Sequence, residues 1–511
     1  MNRLLMTSHR PARWMLRAVA LGVGVFILTA CAVTPTQQRP ELNLPTRFVE
    51  ADPGAGADAN AGANAGVGVT LNAAEEPGRW HPAEPADQQT PSPWWTVFGD
   101  PVLVRLEEEA LKANPDVAIA MARLTQSRAL TARSESARAP TVDAGFGPTR
   151  QRISGTAAGR GDDAPGSTQT LWRAQASVAY EVDLFGKVSA GVAAARADAA
   201  QQQALAHQML LLVQADVART YLSLRQLEGE RRLLRETVSL REDAIRLLER
   251  KQGVGAVARH VVDQARTELF AAQAEHVAVD QQHALTSHAL ATLLGKAPAD
   301  FALEATPLTQ LSVRLPAGLP STLLERRPDI AAAERAMAAE NARIGVAKAA
   351  FFPSLTLTGS LGYESSDLGN LGRWSQRTFL LGPLVGTALS LPVFDGGRRR
   401  ADVDRASARY EEQVAVYRKT VLQAFREVED ALVSMRTVDE RLGHLRGAEE
   451  ASTNVARSAR SRFAEGDVDY LIVVDAERTL LRHRQSRLQS EGERARATVD
   501  LVRALGGGWE L

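Results

Sequence analysis

The chain has 511 residues, and its 60 Lys and Arg balance 60 Asp and Glu to a formal net charge of zero. That balance excludes bulk electrostatic attraction to nucleic acid or to an anionic membrane surface as the organising principle. One cysteine excludes an intramolecular disulfide framework and any Cys-based zinc site, and a 45 % hydrophobic content excludes wholesale disorder although only 5 % of residues are aromatic.

The first thirty residues read as an export signal. Arg3, Arg10, Arg13 and Arg17 form a positive n-region, and Ala18 to Leu28 form a short apolar h-region. No run of about 18 apolar residues is present, so no transmembrane helix is expected in the mature chain. Leu28-Thr29-Ala30-Cys31 resembles the bacterial lipobox, in which the thiol receives a diacylglycerol before cleavage. A plain signal peptide with a chance cysteine is the alternative. Ala32, not Asp, follows; in similar lipoproteins this lets the product travel to the outer membrane. Acyl chains bury at about 0.8 kcal/mol per CH₂, so two or three anchor firmly. Residues 31–93 then form the lipidated N-terminus and a tether, Ala/Gly/Pro-rich from Glu50 to Pro93.

The rest of the chain is duplicated. Asn114-Pro115-Asp116-Val117 is echoed by Arg327-Pro328-Asp329-Ile330, and Pro140-Thr141 by Pro353-Ser354, both at an offset of 213. Leu184-Phe185-Gly186-Lys187 is echoed by Phe394-Asp395-Gly396-Gly397-Arg398, and Gly255 by Gly466 at an offset of 211. The two copies span 94–319 and 320–511. Helices are expected over about 114–139, 187–250 and 257–294, and again over about 328–351, 398–462 and 468–505.

Between the helices lie strands, expected over about 141–148 and 171–184 in the first copy and about 354–363 and 378–393 in the second. From Trp172 to Leu184, apolar residues alternate with Arg173, Gln175, Ser177, Glu181 and Asp183. Gly382-Pro383 interrupts the fourth strand, and Pro148–Thr170 and Gly362–Arg377 read as polar loops. Ten of the 26 aromatics fall in windows 141–185 and 351–395, as in the girdles of a transmembrane β-barrel. A soluble sheet with one face on a core is the alternative.

The long helices carry narrow seams. Val414, Val421, Val428, Met435 and Leu442 step by seven, as do Tyr410, Tyr417, Ala424, Ala431, Val438 and Leu445. Arg398 to Arg462 would span about 97 Å if unbroken. Four strands cannot close a barrel, and open sheet edges in lipid cost several kcal/mol per unpaired group. Copies of the chain must therefore pool their strands, and the result reads as a conduit.

Pro93-Trp94-Trp95 with Phe98-Gly99-Asp100-Pro101, Tyr180 to Lys187, Leu324 to Ile330, Phe394 to Arg398 and Leu505-Gly506-Gly507-Gly508-Trp509 resemble the outer-membrane efflux family. This family is TolC-like, and the lipobox and C-terminal motif point to its NodT-type lipoproteins. The resemblance implies a mainly α fold with β: a homotrimer whose twelve-stranded β-barrel, four strands per chain, joins a long α-helical barrel in the periplasm. It implies passive export of drugs or other small molecules, with a periplasmic adaptor (membrane fusion protein) and an inner-membrane pump of the resistance-nodulation-division type, and no cofactor. Adaptor docking is implied at Arg462, Phe463 and Gly466 and at Lys251, Gly253 and Gly255, although Lys251-Gln252-Gly253-Val254-Gly255 departs from the usual Arg-aromatic-x-x-Gly wording. Leu471 and Asp475 match positions that narrow related channels; a pair between Asp475 and an Arg on a neighbouring helix is the other reading.

No catalytic or metal site is expected. The nine histidines include no His-Glu-x-x-His spacing, and Gly506-Gly507-Gly508 precedes no phosphate-holding helix. Within the channel reading, a type I secretion or metal-efflux channel is the alternative.

Overall fold

The computed structural model describes residues 34–36, 93–157, 159, 161, 163, 165–304, 327–382 and 389–507. The expected export signal, Cys31 and nearly all of the tether lie outside them, as do Leu324 to Arg326 and Gly508-Trp509. The α-helices are α1 (Pro101–Ala113), α2 (Pro115–Ser136), α3 (Lys187–Gly253), α4 (Arg259–Leu293), α5 (Pro328–Ala349), α6 (Arg398–Glu465) and α7 (Tyr470–Ala504). The strands are β1 (Thr141–Ile153), β2 (Ser167–Val182), β3 (Ser354–Ser365), β4 (Arg377–Gly382) and β5 (Leu389–Ser390). The described residues form two compact units, one drawn from those within 34–36, 125–201 and 333–417, the other from those within 93–124, 202–332 and 418–507.

The first unit holds one antiparallel sheet in the order β1-β2-β3-β4, with β5 also on β3. β1 runs five residues beyond its expected end, because Thr149 to Ile153 pair in register with Ser167 to Leu171. Main-chain ladders need no apolar alternation, so this polar stretch reads as loop in the sequence. β2 stops at Val182, two residues early. Asp183 instead accepts from the Val188 and Ser189 N–H groups (3.0 and 2.7 Å) and caps α3. Its carboxyl is held below the usual range: burial acts against this, but the Ser189 and Val188 hydrogen bonds outweigh it. Asp395 does the same for α6, accepting from the Gly397 and Arg399 N–H groups. Of the expected fourth strand, the described residues form β4 and β5, with 383–388 lying outside them, and Leu391 to Val393 are not strand; Pro392 offers no N–H to a ladder.

Residues 34–36 lie in this unit against α5. The Pro35 carbonyl accepts from Asn341 Nδ2 at 2.8 Å. A Cβ on Gly345 would sit 2.5 Å from Thr34 Oγ1, so only glycine admits the segment there.

The second unit is built from helices. α1 lies outside the helices expected from the sequence, although Asp100-Pro101 carries the signals of one. Asp100 Oδ1 accepts from the Val102 and Leu103 N–H groups, while its Oδ2 accepts from Tyr221 Oη at 2.5 Å. Trp94, Trp95, Phe98, Leu103 and Leu106 pack with Tyr221, Leu290, Leu294, Val499 and Val502 in one core.

The two copies solve one problem differently. Asn114 Nδ2 donates to the Leu293 carbonyl at 2.8 Å, and Arg327 Nη1 donates to the Ala504 carbonyl at 2.7 Å. Each satisfies an end-of-helix acceptor. Arg327 also pairs with Asp329 and Glu427 at 2.6 and 2.9 Å. On α6, Tyr417, Val421, Ala424, Val428, Ala431, Val438, Leu442, Ser452, Ala456 and Ala459 are buried. The expected heptad seam therefore runs two heptads further than its large apolar residues indicate, carried by small side chains that allow close helix approach.

Glu107 gave no signal in the sequence, where it sits inside the run Glu107-Glu108-Glu109. On α1 it shares the buried face with Leu103, Leu106 and Ala110 and is 0 % exposed. Neither carboxylate oxygen has a hydrogen-bond partner among the described residues. Burial pushes its pKa up to about 9. The fold thus holds the proton more tightly than the unfolded chain, so this group's contribution to stability is fully present below about pH 4.5 and is lost as pH rises towards about 9. Glu107→Gln is expected to flatten that decline and to stabilise the chain by on the order of 3 kcal/mol at pH 7. Urea unfolding at several pH values checks this; an unchanged pH slope counts against it.

Candidate functional site

Directly opposed residues of an antiparallel sheet share a face. The register sets Val142 against Val178, Ala144 against Ala176 and Phe146 against Ala174. It continues with Ala174 against Tyr363, Ala176 against Leu361 and Tyr180 against Leu357, then Leu361 against Phe379. One face is therefore apolar across β1, β2, β3 and β4. A soluble sheet would bury that face; here Val142, Phe146, Leu361 and Phe379 are 72, 66, 64 and 73 % exposed. Phe146 stacks on Trp172, with ring centroids 6.0 Å apart.

The other face carries Asp143, Gln175, Ser177, Thr356, Thr358 and Ser360, with Arg173 paired to Glu364 at 2.5 Å. Among the described residues, β1 and β4 each have a strand neighbour on one side only. Such a sheet suits a setting that is apolar on one side and wet on the other, provided that its edges are closed.

Two equivalent turns end α3 and α6. Gly255 and Gly466 adopt φ of 73° and 84°, which an L side chain resists. The Gly255 N–H donates to the Gln252 carbonyl and the Ala256 N–H to that of Lys251. The Gly466 N–H donates to the Phe463 carbonyl and the Asp467 N–H to that of Arg462. Both are Schellman turns, related by the offset of 211. Gly253 ends α3, and an added Cβ there would meet nothing.

The departure of the first turn from the motif has a structural counterpart. Only the second turn has an aromatic, Phe463, and Lys251 Nζ of the first turn lies 4.6 Å from its ring centroid. Tyr470 packs on Phe463 at 5.3 Å, and Arg462 Nε pairs with Asp467 at 2.7 Å. Behind the turns Ile245, Leu248, Val261, Val262, Val473 and Val474 form a core. Sequence spacing equates Lys251 with Arg462 but does not show that Lys251 reaches the other turn.

Leu471 and Asp475 lie one turn apart on α7, both exposed, Leu471 by 54 %. Asp469 caps α7 by accepting from the Leu471 N–H at 2.8 Å. Among the described residues Asp475 makes no ion pair. Its neighbour Arg478 is engaged by Glu268, with Nε 2.9 Å from Oε2. Glu268 is buried and also meets Arg241 at 3.4 Å. The alternative reading, an Asp475 bridge to an Arg of a neighbouring helix, is not realised among the described residues. Cys31 lies outside them, three residues before Thr34 on the α5 cradle.

The sequence pattern of the family described as Outer membrane efflux protein matches the chain twice, over 106–296 and 319–507. Outer membrane protein OprJ of Pseudomonas aeruginosa is 32 % identical over 507 residues, covering 97 % of each chain. Toluene efflux pump outer membrane protein TtgF of Pseudomonas putida is 32 % identical over 494 residues, covering 96 % of each. Among solved structures, the outer-membrane channel OprN superposes with a TM-score of 0.80 at 28 % identity, covering 94 % of this chain and all of that one. CusC superposes with a TM-score of 0.76 at 26 % identity, covering 94 % of this chain and all of that one.

Proposed function

The chain belongs to the outer membrane efflux protein family and is a transport component, the outer-membrane channel of an efflux pump; from that premise we propose that three copies close their sheets into one twelve-stranded barrel that gives small molecules a passive exit. The observation that carries this reading is the exposed apolar face of a sheet whose two edge strands, among the described residues, lack outer partners. Closure pairs those edges and leaves the apolar face to lipid and the polar face to water. Toluene and antibiotic efflux pumps supply relatives of this chain, which supports small apolar or amphipathic organic cargo.

The partners in this reading are a periplasmic adaptor and an inner-membrane pump of the resistance-nodulation-division type. The Schellman turns bearing Lys251, Gly253, Gly255, Arg462, Phe463 and Gly466 are the adaptor-docking tips. Leu471 and Asp475 project from α7 as the narrow point, where three unpaired carboxylates near one axis would repel and draw in water and cations. Planar-bilayer recording of the full chain tests both points. Steady single-channel conductance is expected from the wild type, and a several-fold larger one from Leu471→Ser with Asp475→Ala. Identical conductance in the double variant removes these two residues from the narrow point.

Cys31 is the proposed lipid attachment, and the contacts of Thr34 and Pro35 on α5 would hold the acylated end against the unit that contains the sheet. Cys31→Ala is expected to fold and to lose metabolic palmitate labelling; label that persists rules out this attachment point.

A further inference from the structure

Beyond the stacked pair Phe146 and Trp172, the apolar face of β1 changes character, while on β4 a cation already stands in the row of Phe146, Ala174 and Tyr363. The register sets Arg150 opposite Thr170, Arg152 opposite Thr168 and Arg377 opposite Tyr363. With a side-chain period of two, all three arginines fall on the face that carries Val142, Phe146, Trp172 and Leu361. Arg150 and Arg152 are exposed, and none of the three has an ion pair among the described residues. The Arg377 guanidinium lies 4.1 Å from the centroid of the Trp374 ring. Arg173, by contrast, is on the polar face and is neutralised by Glu364.

The order along the strands is informative. β1 leaves α2, and β2 leads into α3, so Thr141 and Val182 mark the helix end of the sheet, while Ile153, Ser167 and Arg377 mark the loop end. On β2 the apolar face runs from Val182 to Trp172, about 33 Å along the strand and about 25 Å of height at a tilt near 40°. Arg150 follows about 13 Å beyond Phe146 along β1. Along β1, apolar band, aromatic belt and unpaired cations therefore succeed one another toward the loops, and Arg377 stands on β4 at the level of the belt.

The cations also sit on the two edge strands, Arg150 and Arg152 on β1 and Arg377 on β4. Closure of copies into a barrel, on which this inference rests, brings β4 of one copy beside β1 of the next. We propose that Arg150 and Arg152 of one copy and Arg377 of the next form, at each seam between copies, an outward-facing site for the phosphate groups of anionic lipid headgroups in the outer leaflet. Guanidinium groups suit this ligand because each presents a planar fork of donors that grips phosphate oxygens bidentately. Their stems and the neighbouring aromatic rings lie against the acyl layer while the charged ends reach the headgroups.

The test uses the full-length protein in detergent, titrated with bis-phosphorylated lipid A, with bound lipid counted by native mass spectrometry. The wild type is expected to retain lipid at each seam, and R150Q/R152Q/R377Q to bind at least about tenfold more weakly. Lysines at all three positions keep the charge but lose the planar fork, so their binding is expected between that of the wild type and that of the Gln variant, and dephosphorylated lipid A should bind the wild type as weakly as bis-phosphorylated lipid binds the Gln variant. Inorganic phosphate at the same concentration should not displace the lipid. Equal retention by wild type and Gln variant overturns the site, as does equal retention of dephosphorylated lipid by the wild type, a comparison that needs no variant to fold. Displacement by inorganic phosphate would identify a free-anion site instead and overturn the lipid assignment. Conductance of the same samples separates the two levels: lipid indifference in conducting channels overturns the seam site alone, whereas a wild type that never conducts overturns the barrel.

Discussion

Leu361→Arg combined with Phe379→Arg is expected to abolish stable membrane insertion, whereas Ser360→Arg is expected to insert normally. Leu361 and Phe379 face each other across β3 and β4 on the exposed apolar face. Ser360 is the next residue along β3 and falls on the opposite, polar face. A charge on the lipid side of a barrel costs about 2–4 kcal/mol near the midplane. The pair therefore lowers the inserted fraction by at least about a thousandfold, taking about 1.4 kcal/mol per tenfold. The measurement is the share of chain that resists urea extraction from phospholipid vesicles. Equal insertion of the double variant and of Ser360→Arg would remove the argument for which face meets lipid.

Arg327→Ala is expected to destabilise the helical unit by about 3–5 kcal/mol. Arg327 is 6 % exposed, and removing it strands the Asp329 and Glu427 carboxylates and the Ala504 carbonyl together. Burial alone would lower the pKa of this guanidinium; the hydrogen bond and charge of Asp329, with Glu427, raise it instead. Arg327→Asn copies the first repeat, where Asn114 reaches the matching carbonyl. It can restore that hydrogen bond but not the two ion pairs, so most of the loss is expected to remain. Urea midpoints of the three proteins, compared at constant slope, measure the loss. An alanine variant as stable as the wild type would show that the two acids find other partners.

Features that repeat within a few residues were legible in the sequence. The alternation from Trp172 to Val182 and the sevenfold spacing on α6 are each set by a local period; the register gathers the first onto one face of the sheet, and burial follows the second. The glycines at 255 and 466 were legible as turns, since positive φ leaves few other choices. Thr149 to Ile153 were not legible as strand, because what holds them is pairing with Ser167 to Leu171. Lys251 on Phe463 joins residues 212 apart, and no local pattern records such a contact. Glu107 was hidden differently: among three glutamates in a row, only the pitch of α1 decides which one turns inward.

Arg478 meets Glu268, and Gln485 Nε2 donates to Glu275 at 2.6 Å, both at a separation of 210. α4 and α7 are corresponding helices of the duplication, and these pairs set them side by side at the same level, running in the same direction. At the level of Glu268 the first half of the chain carries an acid and the second half a base, while Glu275 meets the neutral Gln485. Two first halves placed together would set Glu268 against its own copy, and two second halves would set Arg478 against its own. The charges therefore discriminate self from non-self between two nearly interchangeable pieces, and in a ring of copies they favour strict alternation of the halves.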